Sequence, residues 1–319
     1  MTVTLADVRR AASLLDGVIE RTPIQPFRAL THVVGQHVLL KLENLQRTGS
    51  FKIRGSYVRM SRLTPAERAA GVIAASAGNH AQGVALAATM LGIQAVVYMP
   101  VDAPLPKIEA TRSYGAEVTL VGRNVDEALA AARADAEASG KTFIHPFDHE
   151  DVIAGQGTIA LEILAQVPDV STVIVPVGGG GLAAGVATVF AEAAPHVKVI
   201  GVQAKNASAY VDSLAVGRPL RRTPSSTMAD GIAVGLPGDL PFEMLERLGV
   251  EVRTVSEGQI ARGLLAMAER AKLLVEPAGA VAVAAIMAEH DAALDVPPPP
   301  SDPPLRREGV IVPIISGGN

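Results

Sequence analysis

Short runs of β-branched, apolar residues alternate with alanine-rich amphipathic segments along most of this 319-residue chain. The alternation is typical of βαβ units on a mostly parallel sheet, whose strands are buried between helices on both faces. We therefore predict an α/β fold. The predicted strands are His37–Glu43, Val72–Ala75, Ala95–Met99, Glu117–Leu120, Thr172–Val177, Lys198–Gln203, Glu251–Val255 and Gly309–Ile315. The predicted helices lie near Leu5–Leu15, Ala81–Leu91, Asp126–Ala138, Gly157–Gln166, Leu182–Ala193, Glu257–Ala271 and Ala278–His290.

The composition excludes several classes of protein. With 28 basic and 32 acidic residues, six Phe, four Tyr and no Trp, the chain has neither a basic field nor a stacking surface for nucleic acid. The absence of cysteine excludes disulfides and thiolate chemistry. The uncharged stretch 170–191 is interrupted by Pro176 and four glycines, and the N-terminus has no apolar signal core. We expect a cytoplasmic protein with no membrane or nucleic-acid partner.

The segment Val175–Leu182 is the most informative for function. A β-branched strand leads into Gly178, Gly179, Gly180 and Gly181 and then into an alanine-rich helix. Backbone N–H groups and a helix N-terminus would converge there, which predicts an anion site, and specifically a phosphate site. The alternative is a dinucleotide fingerprint, but the following strand ends at Gln203, where that fingerprint expects an acidic residue.

Two further segments contain candidate chemistry. Lys52 stands among small residues and an aromatic at a predicted helix start, where an amine nucleophile is conceivable, although this segment alone favours an ordinary solvated lysine. In Ser76–Gly83 a strand leads into a helix through small polar residues, and exposed N–H groups at that helix start suit a carboxylate. His145–His149 lacks the spacing of a metal site, and Pro297–Pro304 reads as a surface spacer rather than a protein-binding ligand.

Together these segments resemble the pyridoxal 5'-phosphate (PLP) enzymes of fold type II, and within them the threonine and serine dehydratases, which are related to serine racemase. The resemblance extends over nearly the whole chain. It rests on Arg21-Thr22-Pro23, Lys52, Ser76–Gly83, Gly155-Gln156-Gly157-Thr158, Gly178–Leu182, Asp230-Gly231, Glu276-Pro277-Ala278-Gly279 and Ser316–Asn319.

The resemblance implies a tryptophan synthase β-like architecture, with two open, twisted, mostly parallel sheets and helices on both faces. Residues 1–47 and 147–319 would form a large PLP-binding domain, and residues 48–146 a small domain that binds the substrate carboxylate. A homodimer or homotetramer is expected. We expect no C-terminal regulatory domain in this chain. Because the family usually continues past Ser316–Asn319 with a further helix, the chain is either truncated or unusually short.

The resemblance also implies residue roles by position. Lys52 would bind PLP as a Schiff base and act as the base at the substrate's α-carbon. Phe51 and Gly231 would flank the pyridine ring, Asn79 would bind its hydroxyl group, and Ser316 would face its nitrogen. Glu276 and Leu182 would also lie at the cofactor, and Gly178, Gly179, Gly180 and Gly181 would hold its phosphate. The substrate carboxylate would be bound by Ser76, Ala77, Gly78, Asn79 and His80.

The implied activity is β-elimination of L-threonine, and of L-serine as well, to a 2-oxo acid and ammonia. A hydroxyl partner for the ring nitrogen suits elimination, because unlike an aspartate it does not favour the protonated ring. Three alternatives remain: a dehydratase of another β-hydroxy amino acid, an amino-acid racemase, and a noncatalytic binding protein. Racemases of this type place a serine where this chain has Ala77, and their divalent-metal site begins with a glutamate where it has Gln203. We therefore expect no metal ion near Ala207.

Overall fold

A computed structural model describes residues 2–223, 225–290 and 309–319, and these ranges form two sheets. The larger sheet has the strand order β1-β2-β10-β7-β8-β9 and the smaller one β5-β4-β3-β6. All pairings of the described strands are parallel except that between β1 and β2. The strands are β1 Ile24–Pro26, β2 His37–Leu42, β3 Val72–Ala75, β4 Ala95–Met99, β5 Glu117–Leu120, β6 Thr142–Phe143, β7 Val170–Pro176, β8 Lys198–Ala204, β9 Glu251–Val255 and β10 Val310–Ile315.

Helices connect the strands within each sheet. The α-helices are α1 Leu5–Leu15, α2 Arg28–Val34, α3 Lys52–Ser61, α4 Pro65–Ala70, α5 Asn79–Leu91, α6 Leu105–Ser113, α7 Val125–Ser139, α8 Glu150–Gln166, α9 Gly181–Ala193, α10 Ala209–Val216, α11 Asp239–Arg247, α12 Glu257–Ala266 and α13 Pro277–Glu289. A π-helical turn, Met267–Ala271, follows α12. Of the helices in the described ranges, none combines the length and hydropathy that crossing a bilayer requires.

Both sheets are covered by helices on their two faces. In β7, Val173 and Val175 pack against α1, α8 and α9, whereas Ile174 packs on the opposite side with α2, α12 and α13. In the smaller sheet, Ala74 contacts the α5 side and Ile73 the α7 side. Side chains alternate between the faces of a strand, so a strand buried on both faces must be continuously apolar. The predicted α/β class, with two mostly parallel sheets, is confirmed.

The predicted elements differ from the structure mainly where glycines lie inside a helix. The helix predicted at Gly157–Gln166 begins at Glu150 instead, and its glycines allow neighbouring helices to approach closely. A Cβ at Gly155 would lie 2.7 Å from the carbonyl oxygen of Arg54, and one at Gly157 would lie 2.9 Å from that of Gly185. The helix predicted at Glu257–Ala271 ends at Ala266, where the π-helical turn begins.

Several short elements were not predicted, among them β1, β6 and the helices α2, α4, α6, α10 and α11; most of them are too short for a clear period, although α11 is amphipathic. The strands of the smaller sheet all lie between residues 72 and 143. The domain boundaries near residues 47 and 147 remain predictions. The proline-rich segment Pro297–Pro304 lies outside the described residues.

Candidate active site

Lys52 is the first residue of α3, and its side chain is partly buried. The amine Nζ donates a hydrogen bond to the carbonyl oxygen of Pro146 at 2.9 Å and lies 5.1 Å from the centre of the Phe51 ring. Burial lowers the pKa of Lys52 from 10.5 to about 8, although the charge of Glu276 acts in the opposite direction. The amine is thus less solvated than this segment alone indicates, and a fraction of it is in the neutral, nucleophilic form near neutral pH.

The helix that begins with Lys52 is anchored by a buried ionic network. Arg54 is fully buried and donates to both carboxylate oxygens of Glu43, at 2.8 Å each. Its remaining guanidinium nitrogen, Nη1, donates to Glu162 at 2.6 Å, and the fully buried Lys41 donates to the same carboxylate at 2.6 Å. Charges removed from water in this way persist only when they are paired and hydrogen-bonded, so the network fixes α3 against β2 and α8.

The segment Ser76–His80 leads from β3 into α5, as the sequence predicts. Gly78 is the N-cap of α5, and a Cβ built on it would meet nothing within 4 Å, so the space beside this backbone is open. The first N–H groups of a helix have no partner within the helix and attract anions. The segment can therefore receive a carboxylate from the open side.

The side chain of His80 lies away from that open space. It is buried, and Nε2 lies 2.9 Å from the carbonyl oxygen of Ile144, to which it can donate. Burial lowers the pKa of His80 to about 3, so the ring is neutral at ordinary pH. The side chain thus connects α5 to the end of β6, and the group that His80 can offer a ligand is its backbone amide.

Glu276, Asn79 and Asn319 form a group of polar contacts near Lys52. Asn79 Nδ2 donates to both carboxylate oxygens of Glu276, at 2.8 and 3.0 Å, while its Oδ1 accepts from Asn319 Nδ2 at 2.7 Å. Burial raises the pKa of Glu276 to about 7, with the hydrogen bond from Asn79 opposing the shift. A carboxyl group that can carry a proton at neutral pH therefore lies beside the buried lysine.

The glycine segment forms a tight loop at the start of α9. Gly180 has φ +98, and a Cβ on it would lie 2.0 Å from the hydroxyl oxygen of Tyr210. The carbonyl oxygen of Gly179 accepts from the backbone N–H of Gly238 at 3.1 Å and from the Tyr210 hydroxyl at 3.4 Å. These contacts hold a backbone shape that only glycine tolerates. Leu182 packs its side chain into the core, so its backbone amide is the group it can offer to the loop.

The remaining predicted residues lie next to the groups already described. A Cβ at Gly178 would lie 3.1 Å from Cα of Ile232, the residue that follows Gly231. Ser316 is buried, and its carbonyl oxygen accepts from the N–H of Phe51 at 3.3 Å. The next residue, Gly317, lies so close to Glu276 that a Cβ on it would be 2.4 Å from the carboxylate. Residues from both sheets thus converge on one site.

A family model described as "Pyridoxal-phosphate dependent enzyme" matches residues 15–299. The chain belongs to this family. Over 317 residues it is 50% identical to the L-threonine ammonia-lyase of Thermotoga maritima, an alignment that covers 99% of this chain and 76% of the relative. The family assignment confirms that the chain is a PLP-dependent enzyme.

Two solved structures show the same architecture over the whole chain. Maize serine racemase superimposes with a TM-score of 0.92 at 31% identity, covering 100% of this chain and 94% of the racemase. The processed form of threonine deaminase isoform 2 from Solanum lycopersicum gives 0.89 at 36% identity, covering 100% and 91%. These neighbours confirm the predicted fold type II class.

The residues present fit PLP by the chemistry of their donors. The buried amine of Lys52 can form an imine with an aldehyde, because its lowered pKa leaves it partly unprotonated. The loop Gly178–Gly181 presents backbone at a helix N-terminus, and Cβ atoms at Gly179, Gly180 and Gly181 would collide with Phe147 or Tyr210, so this close-packed backbone requires glycine. This arrangement suits a phosphate group.

Some residues near the site could not be identified from the sequence, because they contact residues that are distant along the chain. Lys107 on α6 contacts Asp230 at 3.0 Å, which connects the smaller sheet's helices to the loop before Gly231. Pro146 and Phe147 were considered only within a candidate metal segment, whereas the structure places them between Lys52 and the glycine loop. Within the described ranges, no group of three or more His, Asp or Glu side chains is placed to hold a metal ion.

Proposed function

We propose that this PLP-dependent enzyme is an L-threonine ammonia-lyase, which converts L-threonine to 2-oxobutanoate and ammonia and L-serine to pyruvate and ammonia. The observation that carries the proposal is that Pro146 and Phe147 join Lys52 to the glycine loop, while the segment Ser76–His80 lies near the same lysine. It is supported by the 50% identity to a threonine ammonia-lyase. Water is lost from the β-carbon and regained when the enamine product hydrolyses, so the net reaction releases only ammonia.

When bound, PLP supplies an electron-withdrawing ring that makes the proton on the substrate's α-carbon acidic. Residues of the chain bind and position the substrate and the cofactor. We infer that the N–H groups of Ser76–His80 bind the substrate carboxylate at the start of α5, and that the loop Gly178–Gly181 holds the cofactor phosphate. Together these two contacts would fix the α-carbon with respect to Lys52.

Lys52 is the proposed base at the α-carbon. A general base works best when its pKa lies near the operating pH, and burial brings that of Lys52 to about 8. Phe51 and Gly231 would lie against the two faces of the ring, and Asn79 would bind its hydroxyl group while held by Glu276. Ser316, a neutral hydroxyl, would face the ring nitrogen, and this pairing favours elimination over a long-lived carbanion.

Steady-state assays of the purified holoenzyme test this function directly. With L-threonine we expect equal amounts of 2-oxobutanoate and ammonia, and a panel with L-serine and allo-threonine would rank the side chains accepted. Lys52→Ala should reduce the rate by several orders of magnitude, whereas Lys141→Ala, at a partly exposed position after α7, should not change it. Absence of 2-oxobutanoate with PLP in excess would refute the substrate assignment.

A racemase is the second candidate, because maize serine racemase superimposes on the whole chain. Racemisation needs a second acid-base group on the opposite face of the α-carbon. The residue before Gly78 is Ala77, whose methyl group cannot exchange a proton. We therefore expect D-serine to form from L-serine at less than about one hundredth of the elimination rate, as expected when one acid-base group is missing. Chiral chromatography of the reaction mixture measures this ratio.

We also propose that the chain assembles as a homodimer or homotetramer in the cytoplasm. Supporting the assembly, Leu45 and Leu274 are 51% and 83% exposed on neighbouring segments, which are joined by a hydrogen bond from Asn44 Nδ2 to the Leu274 carbonyl oxygen at 3.2 Å. Large exposed apolar side chains are typical of contact surfaces. Light scattering of wild type and Leu274→Asp would measure the mass, and a wild-type monomer at micromolar concentration would refute the proposal.

A further inference from the structure

We propose that Phe147, at the centre of the segment His145–Asp148, is a positioning residue that sets the shape of the glycine loop and thereby the affinity for the cofactor phosphate. This segment follows β6 and is here called the connecting segment. The inference rests on the proposed phosphate site at Gly178–Gly181. It concerns a residue that lies behind the loop rather than one of the loop's own amides.

The ring of Phe147 packs directly against the loop. A Cβ built on Gly179 would lie 2.4 Å from three carbons of this ring, and one built on Gly181 would lie 2.7 Å from the Phe147 carbonyl oxygen. On another side, a Cβ at Gly238 would lie 3.0 Å from the ring. The ring therefore occupies the space that side chains at Gly179 and Gly238 would need, and the backbone of Phe147 does the same at Gly181. Phe147 thus limits how far the loop can move towards the connecting segment.

The connecting segment is bound to functional elements on both sides of Phe147. The Pro146 carbonyl oxygen accepts the hydrogen bond from Lys52 Nζ at 2.9 Å. The carboxylate of Asp148 accepts from the backbone N–H groups of Asp239 and Leu240, at 3.1 and 3.0 Å, and so caps the start of α11. Gly238, the residue before α11, also donates to the Gly179 carbonyl oxygen at 3.1 Å. The start of α11 therefore links Asp148 to the glycine loop.

His145 fixes the conformation of the turn. Its Nδ1 accepts from the N–H groups of Asp148 at 2.9 Å and of Phe147 at 3.4 Å. The His145 and Phe147 rings meet edge to face, with their centres 4.8 Å apart. Burial lowers the pKa of His145 to about 4, so the ring is neutral and Nδ1 remains an acceptor throughout the neutral range. The orientation of Phe147 is thus determined by its own neighbours, before any ligand binds.

Removing part of this ring should loosen the loop without touching the amine of Lys52. A loop that must be ordered by the ligand binds it more weakly than a loop that is already ordered. The loss should fall on the phosphate contact, because pyridoxal, which lacks the phosphate, can react with Lys52 without using the loop. The preference for PLP over pyridoxal therefore reports on Phe147 separately from the overall fold.

The test measures dissociation constants of PLP and of pyridoxal for the apoprotein, by titrating the visible absorption band. Phe147→Leu should reduce the PLP-over-pyridoxal preference about 10- to 100-fold, the effect typical of misplacing a binding group by roughly 1 Å. The matched control is Phe27→Leu just before α2, where the buried ring packs in the core of the larger sheet and belongs to neither the connecting segment nor the loop. This variant should keep the wild-type preference.

An unchanged preference in Phe147→Leu would overturn the inference, as would an equal loss in Phe27→Leu. Thermal unfolding of the two apoproteins verifies that both variants fold, and Phe147→Met provides a second variant of similar volume if Phe147→Leu does not. A wild-type protein that binds PLP and pyridoxal equally well would instead refute the phosphate site of the proposed function, and the inference with it.

Discussion

The amine of Lys52 donates a hydrogen bond to the carbonyl oxygen of Pro146 at 2.9 Å, which places it between the connecting segment and the ring of Phe51. The partner is a neutral carbonyl group, and it compensates only part of the cost of burying an ammonium ion. The lysine is therefore held in position while its proton is bound weakly. Both properties are useful for a group that must first react with an aldehyde and later carry a proton.

The rate at which the apoprotein takes up PLP should depend on pH as the neutral fraction of Lys52 does. Burial lowers the pKa of Lys52 to about 8, so the rate should rise about tenfold per pH unit below pH 8 and level off above pH 9. Stopped-flow absorbance measures the rate, and Nα-acetyl-lysine in the same buffers corrects for the ionisation of PLP itself. A rate that still rises tenfold between pH 9 and 10 would contradict the shifted pKa.

Substituting Glu276 by glutamine should change how the stability of the apoprotein depends on pH. Burial raises the pKa of Glu276 from 4.5 to about 7, so the folded state binds this proton more tightly than the unfolded state. The stability from that proton is complete below pH 4.5 and is lost as the pH rises through 7. Relative to wild type, Glu276→Gln should gain on the order of 2 kcal/mol in unfolding free energy between pH 5 and 8.

Urea unfolding at several pH values measures this difference for Glu276→Gln. Glu137→Gln, on the exposed face of α7, is the control and should parallel wild type throughout. If Glu276→Gln also parallels wild type, the carboxyl group is ionised in the folded protein over the whole range.

Removing the charge of Arg54 should destabilise the protein strongly. Arg54→Met leaves Glu43 buried without its bidentate partner, and breaking a buried pair in this way typically costs about 3–5 kcal/mol. The control is Arg123→Met, since Arg123 is 88% exposed and pairs with Glu127 one helical turn away. Such a surface pair contributes about 0.5 kcal/mol or less. Chemical denaturation that gives similar losses for both variants would exclude an anchoring role for the buried network.

Two glycine-to-alanine substitutions, one in the glycine loop and one at a helix position with free space, test whether the loop binds PLP. In Gly180→Ala the new Cβ would lie 2.0 Å from the Tyr210 hydroxyl oxygen at φ +98, so the loop must shift and PLP affinity should fall at least about tenfold. In Gly258→Ala the Cβ would meet nothing within 4 Å in the first turn of α12, and stability should stay equal or rise by up to about 1 kcal/mol. Equal PLP affinity in both variants would show that the loop does not bind the cofactor.

The sequence predicted those parts of the fold whose signals are local. The bounds of β3, β4, β5, β9 and α1 agree with the structure, because each is a short apolar run or a periodic segment with a turn or cap at its ends. The glycine run was informative for the same reason, since four adjacent residues and their flanks already define a loop before a helix. By contrast, β6 has only two residues, too few for any period to be visible.

The contacts that tune the site could not be predicted, because they join residues distant in sequence. Asn79 and Glu276 are separated by 197 positions, and Arg54 and Glu162 by 108. Nothing in the local sequence of Lys52 indicates that its amine is buried, since burial depends on how α3, the connecting segment and the C-terminal residues pack. The family resemblance placed Glu276 near the cofactor, and the structure adds its two hydrogen bonds to Asn79 and its raised pKa.

The most direct test of the central claim is to identify which lysine binds PLP. The holoenzyme is reduced with borohydride, digested, and its peptides are analysed by mass spectrometry. A pyridoxyl group on Lys52 alone, with loss of the visible absorption band, is the result expected from the buried amine beside the glycine loop. A pyridoxyl group on another lysine, such as the fully buried Lys41, or no labelled peptide at all, would contradict it.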